Sequence, residues 1–132
     1  MSKEEKKIIE VISSQHFVEI LDIDAKSGES KLMVIDFYAS WCGPCRKLGD
    51  FLNKLLISEK GKNYNNVMFL KVDIDNESCE ELVEKFKVSS IPRIIILKNK
   101  TVIKDITGYD PKGLFEFIDS QLVTNKDLSQ TL

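Results

Sequence analysis

The sequence predicts an α/β protein: a central mixed β-sheet flanked by helices on both faces, in the order β-α-β-α-β-α-β-β-α. Three observations carry this. Two runs, 32–39 and 67–73, are almost unbroken in apolar residues, as expected of strands buried on both faces. Segments between them place apolar residues at helical spacing, and strands separated by helices become parallel neighbours. Finally, two strand-like runs flank Asn99-Lys100, which adds an antiparallel hairpin at one edge.

Residues 7–12 are a short apolar run suited to a first strand. Ser13-Ser14 supply capping oxygens for a helix over roughly 15–23, with Phe17, Val18, Ile20 and Leu21 on its inner face. The stretch 25–31, with Gly28, reads as a loop. The strand 32–39 follows and carries a single charge, Asp36. After the turn at 40–46, Leu48, Phe51, Leu52, Leu55 and Leu56 mark one face of an amphipathic helix.

Residues 58–66 read as a loop and 67–73 as a buried strand. A helix over about 77–87 aligns Cys79, Leu82, Val83 and Phe86 on one face. A turn at 89–92 leads to the hairpin strands 93–97 and 101–106, ended by Gly108. Asp110-Pro111 starts a last helix that buries Leu114, Phe115, Phe117 and Ile118. The core spans about 7–123 of one domain covering 1–132, and the polar tail 124–132 is expected to fray.

Nineteen basic residues against twenty-one acidic ones leave a net charge of −2, so no strongly basic field gathers nucleic acid. The first residues lack the apolar core of a secretory signal, and no stretch is long and apolar enough to span a membrane. The expectation is a cytoplasmic monomer. Three cysteines, two of them set three positions apart in Cys42-Gly43-Pro44-Cys45, fit a reducing compartment with one reactive pair better than a disulfide-stapled secreted domain.

The chemistry centres on that pair. A thiol at the junction of a strand and a helix meets unpaired amides and the positive end of the helix dipole, which favour its thiolate. Cys45, one turn on, is placed to close a disulfide with Cys42. Pro44 suits a first helical turn, and Gly43 allows a partner's backbone close. Zinc needs four ligands, and only Cys79 and His16 remain as soft donors, neither at finger spacing.

The segment Val34 to Cys45, ending in Trp41-Cys42-Gly43-Pro44-Cys45, resembles the thioredoxin family, as do Lys71-Val72-Asp73-Ile74-Asp75, Ser90-Ile91-Pro92 and Gly108. The resemblance runs from Lys7 to about Val123 and implies the thioredoxin fold. It implies protein-disulfide reduction with Cys42 as nucleophile and Cys45 as resolving thiol. No cofactor would be bound, and a thioredoxin reductase using NADPH would recharge the pair.

Other roles follow from the same resemblance. Asp36 would be the general base for Cys45, with Lys71 as its charge partner. Ile91-Pro92 would be a cis peptide whose backbone pairs with the substrate chain. Trp41, Gly43, Pro44, Arg93 and Gly108 would complete the substrate-contacting surface. Cys79 is expected to be a buried, inert thiol, and His16 to have no catalytic role.

Departures from the family pattern sharpen these expectations. Arg93 replaces a common threonine, and either adds positive charge near the thiols with Arg46 and Lys47 or points into solvent. Tyr38 stands where many members have tryptophan, Asp50 replaces a kinking proline, and Lys100 replaces a hairpin glycine. Two other functions stay open: a thioredoxin-fold binding or chaperone-like subunit with dispensable cysteines, and a disulfide isomerase or oxidase.

Overall fold

The computed structural model describes residues 7–131, with side chains placed through Leu122. Its elements are β1 (Ile9–Glu10), α1 (Ser14–Lys26), β2 (Leu32–Tyr38), α2 (Gly43–Ile57), β3 (Val67–Asp73), α3 (Glu80–Lys85), β4 (Arg93–Lys98), β5 (Thr101–Thr107) and α4 (Pro111–Thr131). The five strands form one sheet in the order β1-β3-β2-β4-β5. β1, β3 and β2 run parallel, while β4 and β5 join as antiparallel neighbours.

Strand alternation sorts the core into two layers. On one face Leu32, Val34, Val67, Phe69, Ile94 and Ile96 pack against Leu48 and Leu52 of α2 and Leu114 and Ile118 of α4. On the other, Met33, Ile35, Phe37, Leu70, Val72 and Ile95 meet Phe17 of α1 and Leu82 of α3. β2 lies at the centre, covered on both faces, which is why its sequence is apolar at consecutive positions instead of alternate ones.

Several elements differ from expectation, each for a local reason. β1 is far shorter than 7–12, because only β3 pairs with it and both its residues are exposed. Past Glu10 the chain bends into α1, where the Ser13 hydroxyl accepts the His16 amide at 2.9 Å. α1 runs to Lys26, into the expected loop, and Ser27 receives its end by donating to the Ile23 and Asp24 carbonyls. Val18 is 46% exposed and off the inner face, since one residue is a hundred-degree step around a helix.

The expected loop 58–66 holds a 3-10 turn at Gly61–Asn63 and a completely buried Tyr64, whose hydroxyl donates to Asp119 of α4 at 2.9 Å. The expected helix 77–87 divides into a 3-10 turn, Glu77–Cys79, and α3, which stops before Lys87 turns left-handed at φ 52°. In the β4–β5 hairpin both Asn99 (φ 52°) and Lys100 (φ 66°) are left-handed, the geometry of a primed two-residue turn. α4 continues through the expected tail to Thr131, a stretch without glycine or proline to break it.

Candidate active site

The site forms where β2 ends and α2 begins. The Cys42 amide donates to the Ala39 carbonyl at 3.2 Å, and Cys42 then serves as the N-cap of α2. Its Sγ accepts the Cys45 amide at 3.2 Å, so the sulfur occupies the place a capping oxygen takes in other helices. Cys42 and Cys45 form a disulfide with their Cα atoms 5.2 Å apart, and they are 6% and 3% exposed. Helix-end amides and dipole favour negative charge on that first sulfur once the bond is reduced.

Several other groups lie around this junction. Pro44 is exposed in the first helical turn. Nothing stands within 4 Å of where a Gly43 Cβ would be, so that side of the pair is open. The Ile91-Pro92 peptide is cis, and Ile91 packs against the Ala39, Cys42 and Cys45 cluster. Gly108 donates its amide to the Pro92 carbonyl at 2.9 Å and adopts φ 87°, a left-handed conformation that disfavours a side chain. Trp41 is 66% exposed, and its indole N–H donates to Asp75 Oδ2 at 2.7 Å.

Asp36 lies on the α2/α4 face of β2, one alternation beyond Val34 toward the end where α2 begins. It is 4% exposed, and its Oδ1 has no hydrogen-bond partner. Burial pushes its carboxyl up to about 7; the Lys71 charge pulls the other way, and Glu10 adds a smaller upward push. Lys71 stands opposite Asp36 in the β2–β3 register. Its ion pair, however, is with Glu10 at 3.6 Å.

Arg93 takes neither of its expected placements. It alternates with Ile94 onto the face opposite Asp36, where its guanidinium grips Asp105 through Nε at 2.9 Å and Nη2 at 2.6 Å. Nη1 donates to the Lys87 carbonyl at 2.7 Å. The positive charge is thus neutralised within the fold, and Asp105 is held below the usual carboxylate range by that hydrogen bond. Arg46 stays exposed and donates to the Ser40 carbonyl at 2.9 Å.

Cys79 is completely buried, its thiol directed at the Val11 carbonyl at 3.5 Å, and burial pushes its proton affinity up. Such a thiol is a poor nucleophile. His16 accepts the Ile12 amide on Nδ1 at 3.1 Å, a turn-forming bond at the start of α1. Sequence reasoning gave no role to two groups, Asp75, quoted only as part of a matching segment, and Glu10. Asp75 sits two residues past a buried strand, a signal that such a side chain emerges at the sheet end with the thiols. Glu10 interrupts an apolar run, but nothing local announces its partners.

A vicinal pair that closes a disulfide can exchange two electrons with another dithiol or disulfide, with no bound group required. The family model for thioredoxin matches residues 8–120. Among relatives, the chain is 37% identical over 105 residues to a thioredoxin H-type from Fagopyrum esculentum, covering 80% of this chain and 83% of that one. It is 34% identical over 98 residues to a thioredoxin from Echinococcus granulosus, covering 74% and 85%. Among solved structures, the thioredoxin of Trypanosoma brucei brucei superposes with a TM-score of 0.74 at 27% identity, covering 92% of this chain and 96% of that one. Sheet order, cysteine pair and relatives agree: the chain belongs to the thioredoxin family and is a dithiol–disulfide oxidoreductase.

Proposed function

We propose that the chain works in the reducing direction on protein disulfides, with Cys42 as nucleophile, Cys45 as resolving thiol and Asp36 as the proton acceptor. The Cys42 thiolate attacks one sulfur of the target disulfide, forming a mixed disulfide and releasing the target's other sulfur as thiolate. Cys45 then gives its proton to Asp36 and attacks Cys42 Sγ, which breaks the mixed disulfide and frees the second target thiolate. The target gains two electrons, and the pair ends as the Cys42–Cys45 disulfide. The observation that carries this reading is the seat of Cys42 at the tip of α2, with its Sγ already receiving an amide N–H.

Ile91, cis-Pro92 and Gly108, linked through the Pro92 carbonyl, with Trp41, Gly43 and Pro44, make the face on which an extended target segment would pair. Arg93 supports this face as a brace for the 87–92 turn. Lys71 moderates the proton affinity of Asp36. A reductase drawing on NADPH would return the disulfide to the dithiol, and a reducing compartment such as the cytoplasm suits that cycle. No helix among the described residues is long and apolar enough to cross a membrane.

Insulin reduction with dithiothreitol tests the reading directly. Cys42→Ser is expected to fall to the dithiothreitol background, and Cys45→Ser to accumulate mixed disulfides through Cys42. Turbidity rates equal to wild type in Cys42→Ser would leave a binding module in place of an enzyme.

A further inference from the structure

A row of paired positions crosses the sheet on the α2/α4 face. Glu10 of β1 registers with Lys71 of β3, Lys71 with Asp36 of β2, and Asp36 with Ile94 of β4. The row runs from solvent to interior: Glu10 is exposed, Lys71 half-buried and Asp36 buried. Its outer end is tied down. The Tyr38 hydroxyl lies 2.8 Å from one Glu10 carboxylate oxygen and 3.0 Å from the other, so its single proton is shared between them. The Lys71 ammonium lies 3.6 Å from Glu10 Oε1 and 5.7 Å from the centre of the Tyr38 ring.

We propose that Glu10, fixed by the Tyr38 phenol, is a positioning residue that draws the Lys71 ammonium toward the β1 edge and so keeps Asp36 a strong enough base for the resolving thiol. The physical need is plain. An unopposed ammonium facing a buried carboxylate stabilises its anion and weakens it as a proton acceptor near neutral pH. With Glu10 drawing it outward, the ammonium stands farther from the buried carboxylate, and its pull on Asp36 weakens with that distance. The phenol matters because a freely rotating glutamate on an exposed edge would hold the ammonium only part of the time.

The surroundings of Asp36 supply few competing charges. β3 presents Lys71, with Asp73 in register with Tyr38 farther along; β1 presents Glu10; β4 presents Ile94. The helices packed on this face contribute Leu48, Leu52, Leu114 and Ile118 from their buried sides, and α2 brings Cys42 and Cys45, which are joined in this state. The direct push of Glu10 on the Asp36 carboxyl is smaller than the pull of Lys71, so the larger lever on Asp36 is where the ammonium sits. The inference rests on the proton-accepting role proposed above for Asp36.

The test is a carbon-13 NMR titration of the Asp36 carboxyl in the oxidised full chain, so that no thiol titrates beside it. Glu10→Gln, which keeps an acceptor for the Tyr38 hydroxyl, is expected to lower the midpoint by about half a pH unit, roughly threefold in acid dissociation. Glu10→Lys should lower it further. Made on a Lys71→Met background, Glu10→Gln should lose about half of its effect or more, since the ammonium it positions is gone.

An unmoved midpoint in both Glu10 variants overturns the proposal. So does an equal shift with and without Lys71, which would mean a direct field instead of positioning. The pH dependence of mixed-disulfide resolution in the same proteins separates the two claims. A profile that ignores a midpoint that has moved removes Asp36 as the proton acceptor and leaves the positioning intact.

Discussion

Asp36 is a carboxylic acid in a place made for hydrocarbon, and the conflict has a pH signature. Its folded pKa of about 7 lies above the ordinary 3.8, so the native state binds that proton more tightly than the unfolded chain does. Well below pH 4 the group is protonated in both states and costs nothing extra. As pH rises through the interval the unfolded state gains by ionising first, and native stability falls until about pH 7, where the full penalty is reached. Asp36→Asn lacks this titration. Its stability relative to wild type is therefore expected to rise between pH 4 and pH 8 by roughly 4 kcal/mol, from a displacement of about three units. Urea unfolding of both oxidised proteins across that range is the measurement, and a flat difference would sink the assignment. Asp105, depressed by Arg93, pushes stability the opposite way with pH but is common to both proteins and cancels.

At the scale of elements, the 87–92 turn is the part most exposed to change. It starts at left-handed Lys87, ends at the cis-proline, and contributes little to either core layer. Arg93 holds it, with one end of the guanidinium on the Lys87 carbonyl and the other forked on Asp105 of β5. Because the arginine side chain is only 16% exposed, this pair outweighs an ordinary surface bridge, although the 41% exposure of Asp105 screens it in part. Arg93→Ala is expected to cost about 1–2 kcal/mol in chemical denaturation and to raise KM for insulin more than it lowers kcat. Arg93→Lys should recover little, since an ammonium cannot span the fork and the carbonyl together. Wild-type stability and KM in Arg93→Ala would mean the turn holds itself.

Across the whole molecule the sheet is graded from centre to edge. β2 is paired on both sides and covered on both faces, whereas β1 has one neighbour and exposed side chains. Native-state hydrogen exchange should follow this gradient. Amides of β2 and of the β3 and β4 positions facing it are expected to open only with global unfolding. The Val11 amide, bonded to the Lys71 carbonyl beyond the end of β1, should exchange at least about tenfold faster. Equal protection at Val11 and in β2 would contradict the gradient. The redox pair follows β2 directly, so the thiols are presented from the strand that is paired on both sides and covered on both faces.

Much of this was readable without coordinates. Apolar periodicity reports which face of a segment is buried, and that is a local property; it located the five strands and four α-helices of the described residues and singled out Asp36 as the charge in a buried run. The cysteine motif, at a junction of strand and helix, located the chemistry. Partners were another matter. Tyr38 and Glu10 are 28 positions apart, Arg93 and Asp105 are 12, and Tyr64 and Asp119 are 55. Those meetings depend on strand register and on which helix covers which face, quantities fixed only when the whole sheet packs at once. Where charge and sulfur stand along the chain is legible in the order of residues alone; which charges face each other follows only from the packed sheet, because a field acts through space and not along the backbone.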